Sequence, residues 1–431
     1  MSFLMASSAT STLWKLVCSN ILLQQRFTCV QQRMTAWRHS VKTHIARRRV
    51  AVLFVLVSIC LAGPIARILA VESDGGEARR IVEYGVPGPR GNVFRVVVAD
   101  TVVPVQQFGD IEYVHFSCSD PVGVEVRRLD GIGVEDCRVR PKRFAIAARY
   151  DDDAVRFSVK PGQKLVVNVD RLRKLFVFAE PLERDATTAS QSGWVNLVQC
   201  GADPSGANDS TETIQAAIDG LPVDGDLYVP PGIYRSGSLR LKSNMTLHLA
   251  AGALLKGSDD HRKFKHYSDR SYLYFLLADD VENLCIAGRG TIDGNGYMVR
   301  RQWQEELGIR KQPGRLLLCV DSRNVEVRDV TLRDSYSWTA HMVNCTDSRL
   351  ENLKILTDTR LSNGDGLDID GCRSVTAEDL FIYAEDDAIS VKAAWTRESP
   401  GDLIFRDCIL WSQNATGIRL GTETRSEAFR H

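Results

Sequence analysis

Asp386 and Asp387 stand side by side in EDDAISVKA (Glu385 to Ala393), and Asp365 holds the matching place in NGDGLDID (Asn363 to Asp370). Each acid precedes a short strand-like stretch, GLDI (Gly366 to Ile369) or AISV (Ala388 to Val391), and a third stretch, GIRL (Gly417 to Leu420), follows Ala415 and Thr416. If the three stretches stack as neighbouring strands ~4.8 Å apart, Asp365, Asp387 and Thr416 form one column. Carboxylates so placed meet the requirement of glycosidic bond cleavage, a proton donor and a second acid around one linkage. A lone Asp in a Gly-rich turn ordinarily bonds its own backbone. Three acids in register repel one another, which a fold does not gather without a chemical use.

Such stacking needs a repeat, and one is present. A polar-apolar-any-apolar unit recurs at Asp329–Leu332, Asn352–Ile355, Asp379–Ile382 and Asp407–Leu410, in steps of 23, 27 and 28 residues. That period fits a solenoid coil of three short strands, and no segment of the repeats sustains apolar spacing of three and four. Looser copies lie at Gly290–Asp293 and Ser243–Leu255, and a polar, Arg-rich insertion holding Trp303 interrupts the series between Asn295 and Arg315. Insertions of this kind emerge as loops on one face.

Within the three stretches Leu367, Ile369, Ile389, Val391, Ile418 and Leu420 alternate inward. Asp368, Ser390 and Arg419 then face outward beside the acids, with Asp370 and Lys392 one step further. Lys392 and Arg419 are candidates for holding a substrate hydroxyl or carboxylate, the latter because guanidinium binds carboxylate through two hydrogen bonds. His341 in SWTAHMV (Ser337 to Val343) lies one coil before Asp365 and is a further candidate lining residue.

The rest of the 431 residues supplies context. With 54 basic and 54 acidic side chains, net charge gives no argument for a nucleic-acid partner. Arg47–Arg49 precede a thirteen-residue, largely apolar run, Val50 to Ala62, which is too short to span a bilayer and fits a signal-peptide core. Residues 1–72 are read as this leader, with Met34 an alternative start; membrane contact is expected only through the leader if it stays uncleaved. The expected location is secreted or periplasmic. Residues 80–183 read as a β-sandwich domain, from alternating runs such as Val93–Ala99, Tyr113–Cys118, Val124–Leu129, Phe144–Tyr150, Val155–Val159 and Lys164–Val169. Asp151–Asp153 reads as a solvated hairpin turn. Residues 184–193 read as a linker and 194–431 as the solenoid, with its last coils expected to be missing. Of eleven cysteines, Cys319, Cys345 and Cys372 follow the repeat spacing and read as stacked core residues, while a Cys118–Cys137 disulfide stays open. The absence of CxxC or HxxxH spacing points to no metal site.

After the linker, Val195 to Asp219 and Leu227 to Gly257 read as strand, polar turn, one amphipathic helix from Thr211 to Gly220, then strands. The helix would cover the open end of the solenoid. This opening resembles that of the pectin-lyase-like right-handed parallel β-helix proteins. With NGDGLDID and EDDAISVK following, the stretch from Val195 to Thr424 is identified as similar to glycoside hydrolase family 28, the polygalacturonases. The resemblance implies an all-β fold, a right-handed parallel β-helix with one capping helix, preceded here by the small β-sandwich. It implies hydrolysis of a pectin-like polysaccharide with inversion, without cofactor; a monomer is expected. Asp386 would be the general acid, Asp365 and Asp387 would activate the water, and Asn363 would orient the neighbouring carboxylate. Lys392 matches a basic residue often found after the acid pair. The family's G-H-G motif reads Ala415-Thr416-Gly417 here, and its R-I-K motif would fall beyond His431. A β-helix polysaccharide lyase, using calcium and a basic residue, and a carbohydrate-binding solenoid without turnover are the rival readings.

Overall fold

The computed structural model describes residues 67–71, 79–85, 87–183, 193–267, 272–308, 314–395 and 399–424. The leader up to residue 66 and most of the expected linker, residues 184–192, lie outside this set. Among the described residues, no helix is long and apolar enough to cross a membrane.

From Trp194 onward the chain winds as a right-handed parallel β-helix of three eight-stranded sheets. One coil runs Thr346–Glu351, Lys354–Leu356, Leu367–Asp370, and the next runs Arg373–Glu378, Phe381–Ala384, Ile389–Ala393. The sequence repeat sets the register: Leu332, Ile355, Ile382 and Leu410 are successive partners in the second sheet. The polar residue opening each repeat has its own physical task. Asp329, Asn352, Asp379 and Asp407 all adopt left-handed backbone, φ 71°, 52°, 55° and 57°, a conformation that short polar side chains tolerate best after glycine. These residues turn the corner between the first and second sheets, and Asn352 donates to Asp329 across the coils at 2.7 Å. The inward residues form one apolar core running the length of the cylinder, including Leu367, Ile369 and Ile389.

Helix Thr211–Asp219 buries Ile214, Ala217 and Ile218 against the first coil. Asp209 Oδ1 accepts from the Thr211 amide at 3.1 Å and its hydroxyl at 2.6 Å, fixing the helix start. The insertion after Asn295 departs from its expected loop. Gly296–Leu307 is a second helix, because Val299 and Trp303, four apart, bury together against the coils. Arg301 and Glu305 pair on its exposed side at 2.7 Å. Five residues of apolar spacing inside a charged segment were too little to mark it.

The β-sandwich consists of a seven-stranded and a five-stranded sheet closed on a shared core of residues such as Val96, Val124, Val114 and Leu165. Arg67–Val71, the end of the expected leader, pairs antiparallel with Arg79–Glu83. Phe144–Tyr150 is not the expected strand. Lys142–Phe144 is a turn of 3-10 helix and only Arg149–Asp151 is extended, since Phe144, Ile146 and Ala148 lean onto the core rather than alternate across a sheet. Asp151 and Ala154 are hairpin partners, so the Asp run is a turn. Cys118 and Cys137 are free thiols.

Strands Ile111–Cys118 and Lys174–Glu180 are parallel neighbours and almost wholly buried on both faces. Their second face rests on the β-helix. Tyr113, Phe176 and Phe178 pack with Leu356, Phe381 and Tyr383. Beside them, the buried Glu180 carboxylate accepts from Lys354 Nζ, Arg289 Nη1 and Asn352 Nδ2, each at 2.7 Å. Burial opposes the ionised form of Glu180, but Lys354 and Arg289 outweigh it and hold the carboxyl well below its ordinary range. The sandwich is thus fixed to the second sheet of the solenoid.

Candidate active site

The outer face of the third sheet carries the acids, and the backbone ladder shows why they align. The Thr339 amide donates to Asp365 O, the Gly366 amide to Asp387 O, and the Ala388 amide to Thr416 O, each at 2.9 Å. Asp365, Asp387 and Thr416 therefore occupy the same place on three successive strands, and Trp338 holds it one coil earlier. Gly366 is required by contact: a Cβ there would lie 2.5 Å from Ala388 O and 2.4 Å from Ile382 Cγ2. Glu385 braces the loop from the other side. Its carboxylate accepts from the Gly364 amide at 3.2 Å and from Asn414 Nδ2 at 2.8 Å.

The acids stand in different surroundings. Asp387 is buried; its Oδ1 accepts from the Thr416 amide at 3.1 Å and hydroxyl at 2.7 Å, while Arg419 Nε pairs with its Oδ2. Asp386 is half-buried. Burial, then Asp387 and Glu385, push its carboxyl above the ordinary value against the pull of Arg419. Asp365 is nearly inaccessible, and its Oδ1 has no hydrogen-bond partner among the described residues. Burial, reinforced by Asp368 and opposed by Lys392, pushes Asp365 up to about 9. Asp368, three residues further along the chain, is pushed up to about 6 by burial, held back by Lys392.

Lys392 is the cation these acids share. Its Nζ lies 2.8 Å from Asp368 Oδ1, 3.1 Å from Glu423 Oε2 and 3.5 Å from Asp365 Oδ2. It also sits 3.3 Å from the centroid of the Trp338 ring, whose electron-rich face favours a cation. The guanidinium of Arg315 lies 3.9 Å from the same ring and 4.7 Å from Tyr272. Burial pushes Arg315 down to about 10. Arg315 Nε donates to His341 Nδ1 at 3.1 Å, and His341 Nε2 lies 3.6 Å from Asp370 Oδ2.

Seven of the eight residues picked from sequence, Asp365, Asp386, Asp387, Asp368, Lys392, Arg419 and His341, thus stand on neighbouring strands of one sheet and their leading turns. His341 is one strand from Asp368, its register partner, and is buried against Trp338 and Trp395. Asn363 stands apart. It is exposed with left-handed backbone, φ 62°, and contributes its carbonyl, which accepts from Ser337 Oγ at 3.1 Å. Arg315, Trp338, Trp395, Tyr272 and Glu385 were not singled out. Arg315 and Trp338 lie one coil apart in the column leading to Asp365, so the repeat spacing could have found them. Trp395 belongs to no repeat position and left no such signal.

Residues 222–399 match the model of glycosyl hydrolases family 28. A probable polygalacturonase of Vitis vinifera is 29% identical over 254 residues, 53% of this chain and 51% of the relative. An exo-poly-alpha-D-galacturonosidase of Dickeya chrysanthemi is 35% identical over 137 residues, 28% of this chain and 23% of the relative. The chain spans about half the length of the Vitis protein it matches. Among solved structures, Dex49A from Penicillium minioluteum superposes with a TM-score of 0.53 at 15% identity, covering 83% of this chain and 80% of that one, which is a likeness of fold. The matched region contains most of the repeat, the acid pair and the third acid, and over residues 222–399 the chain is similar to glycosyl hydrolases family 28.

Proposed function

We propose that this protein is an exported glycoside hydrolase acting on a polysaccharide of the pectin, polygalacturonan type, without a cofactor. The observation that carries the reading is the unlike setting of the two adjacent acids. Asp386 is half-buried with its carboxyl raised by burial and by its acidic neighbours, the condition of a proton donor. Asp387 is clasped by Thr416 and Arg419, which fix its carboxylate in place. Asp386 protonates the leaving oxygen, and Asp387 with Asp365 holds the attacking water. Arg419 and Lys392, cations on this face, offer a counter-charge to a uronate carboxyl. The relatives described above are named as polygalacturonases and galacturonosidases, which supports this substrate class.

Two acids serving one water need not stand at the spacing that separates an acid from its opposing base. Water attack without a covalent intermediate gives inversion. Incubation with a defined oligogalacturonide, followed by proton NMR of the first-formed product, tests the reading. The expected product is saturated and of opposite anomeric configuration to the cleaved linkage. A retained anomer refutes the shared water, an unsaturated product identifies a lyase, and binding without turnover identifies a carbohydrate-binding solenoid.

A further inference from the structure

The acid cluster lies at one end of a covered stretch of sheet. Leu277, Leu318, His341, Asp368 and Ser390 are successive outward-facing partners across five strands, and all five are 0% exposed. The outer face is thus sealed from Leu277 up to the strands that follow the acids. Part of the seal is aromatic. Trp395 follows the strand that carries Lys392, and its amide donates to Asp370 Oδ2 at 3.1 Å. Its ring reaches back over the earlier coils, 4.8 Å from His341 and edge-on to it. There it stacks on Tyr272 at 5.0 Å and 22°, and on Tyr267 at 6.2 Å and 9°. Tyr267 and Tyr272 are hairpin partners, so the stack rests on paired backbone. Beneath it, Tyr274, Leu277, Leu318, Val320 and Val343 form a small apolar core with Tyr267 and Trp395.

A polysaccharide bound over the acids along the solenoid axis would cross strand after strand. In the N-terminal direction it would meet this stack. The rings face one another and not the groove, so they make a barrier and not a platform for a sugar. We propose that the Trp395–Tyr272–Tyr267 stack is the end wall of the saccharide site, so that the acids reach only a linkage near a chain end. The proposal rests on the hydrolase reading above and adds the mode of attack, which that reading leaves open. The wall makes Trp395 a specificity-determining residue, acting by exclusion.

The test uses the full chain, polygalacturonate and a galacturonate hexamer. The wild type is expected to release a single small product from the first time point. Trp395→Ala and, in parallel, Tyr272→Ala, each checked for native circular dichroism, are expected to release fragments of mixed length. Mixed fragments from the wild type at the outset, or unchanged products from both folded variants, overturn the wall. A second measurement separates this from failure of the hydrolase reading. In the Asp386→Asn protein, hexamer and polymer are compared by calorimetry at equal mass. A walled site binds in proportion to chain ends and favours the hexamer; equal binding per unit mass, or no binding of either, overturns the proposal. Absence of turnover with end-dependent binding overturns only the hydrolase reading.

Discussion

Lys392 Nζ lies 2.8 Å from Asp368 Oδ1, on the neighbouring strand two residues away from direct opposition. One ammonium thus answers two buried carboxyls, since Asp365 shares it at 3.5 Å. Burial and the acids' mutual repulsion win over the single cation at Asp365, whose carboxyl is driven up to about 9. At Asp368 the closer contact holds the rise to about 6. Between these values the pair retains one proton, and its titration belongs to both groups.

Replacing Lys392 with Met removes the cation that favours ionisation of both acids most strongly. The carboxyls then ionise at higher pH, so the acid limb of the activity profile moves to higher pH by about 1 unit or more. A pH–rate profile of Lys392→Met against wild type reads this directly. An unmoved acid limb shows that Lys392 does not govern the pair.

Asp365→Asn is expected to stabilise the fold while abolishing activity. A carboxyl whose folded pKa lies above its unfolded value contributes its full stability below the unfolded value. That contribution is lost as pH rises through the window from about 4 to about 9. The amide carries no such penalty, so the gain grows with pH across that window, by no more than about 1.4 kcal/mol for each pH unit. Sharing of the proton with Asp368 reduces this gain. Chemical denaturation at pH 5 and pH 8 checks it; a variant less stable than wild type at pH 8 contradicts the account.

Asp386→Asn keeps the shape of the site and removes the proton donor. Turnover on oligogalacturonide is expected to fall ~10²–10⁴-fold with the unfolding temperature nearly unchanged. Activity within a factor of about ten of wild type means that another group protonates the leaving oxygen.

Glu180→Gln tests the junction of sandwich and solenoid. It leaves Lys354 buried without its counter-charge and Arg289 with Asp329 at 3.0 Å, which costs about 3–5 kcal/mol for such a pair. Glu180 is held below its ordinary pKa, so its contribution is present above the unfolded value of about 4.3 and is lost as pH falls. The difference in denaturation midpoint between variant and wild type should therefore be large at pH 7 and shrink in acid. An equal midpoint at pH 7 means that the Glu180 cluster does not hold the junction.

What the sequence determined by itself was everything periodic. Steps of 23 to 28 residues specified the solenoid, because each coil must return its apolar residues to one core and its Asp or Asn to a left-handed corner. Asp329, Asn352, Asp379 and Asp407 made that visible. The same period put Asp365, Asp387 and Thr416 in one column, and strand alternation placed Asp368, Lys392 and Arg419 beside them. Tertiary structure alone decided what is not periodic. Asn363 turns outward because its backbone is left-handed, which a motif match does not reveal. Arg419 pairs with Asp387, and Lys392 divides itself between two acids, because partners across strands are chosen by distance and burial. Trp395 reaches the tyrosines more than a hundred residues earlier, and Glu180 meets Lys354 from another sheet system. Contacts of that kind depend on where the coils end up in space, and no local spacing encodes them.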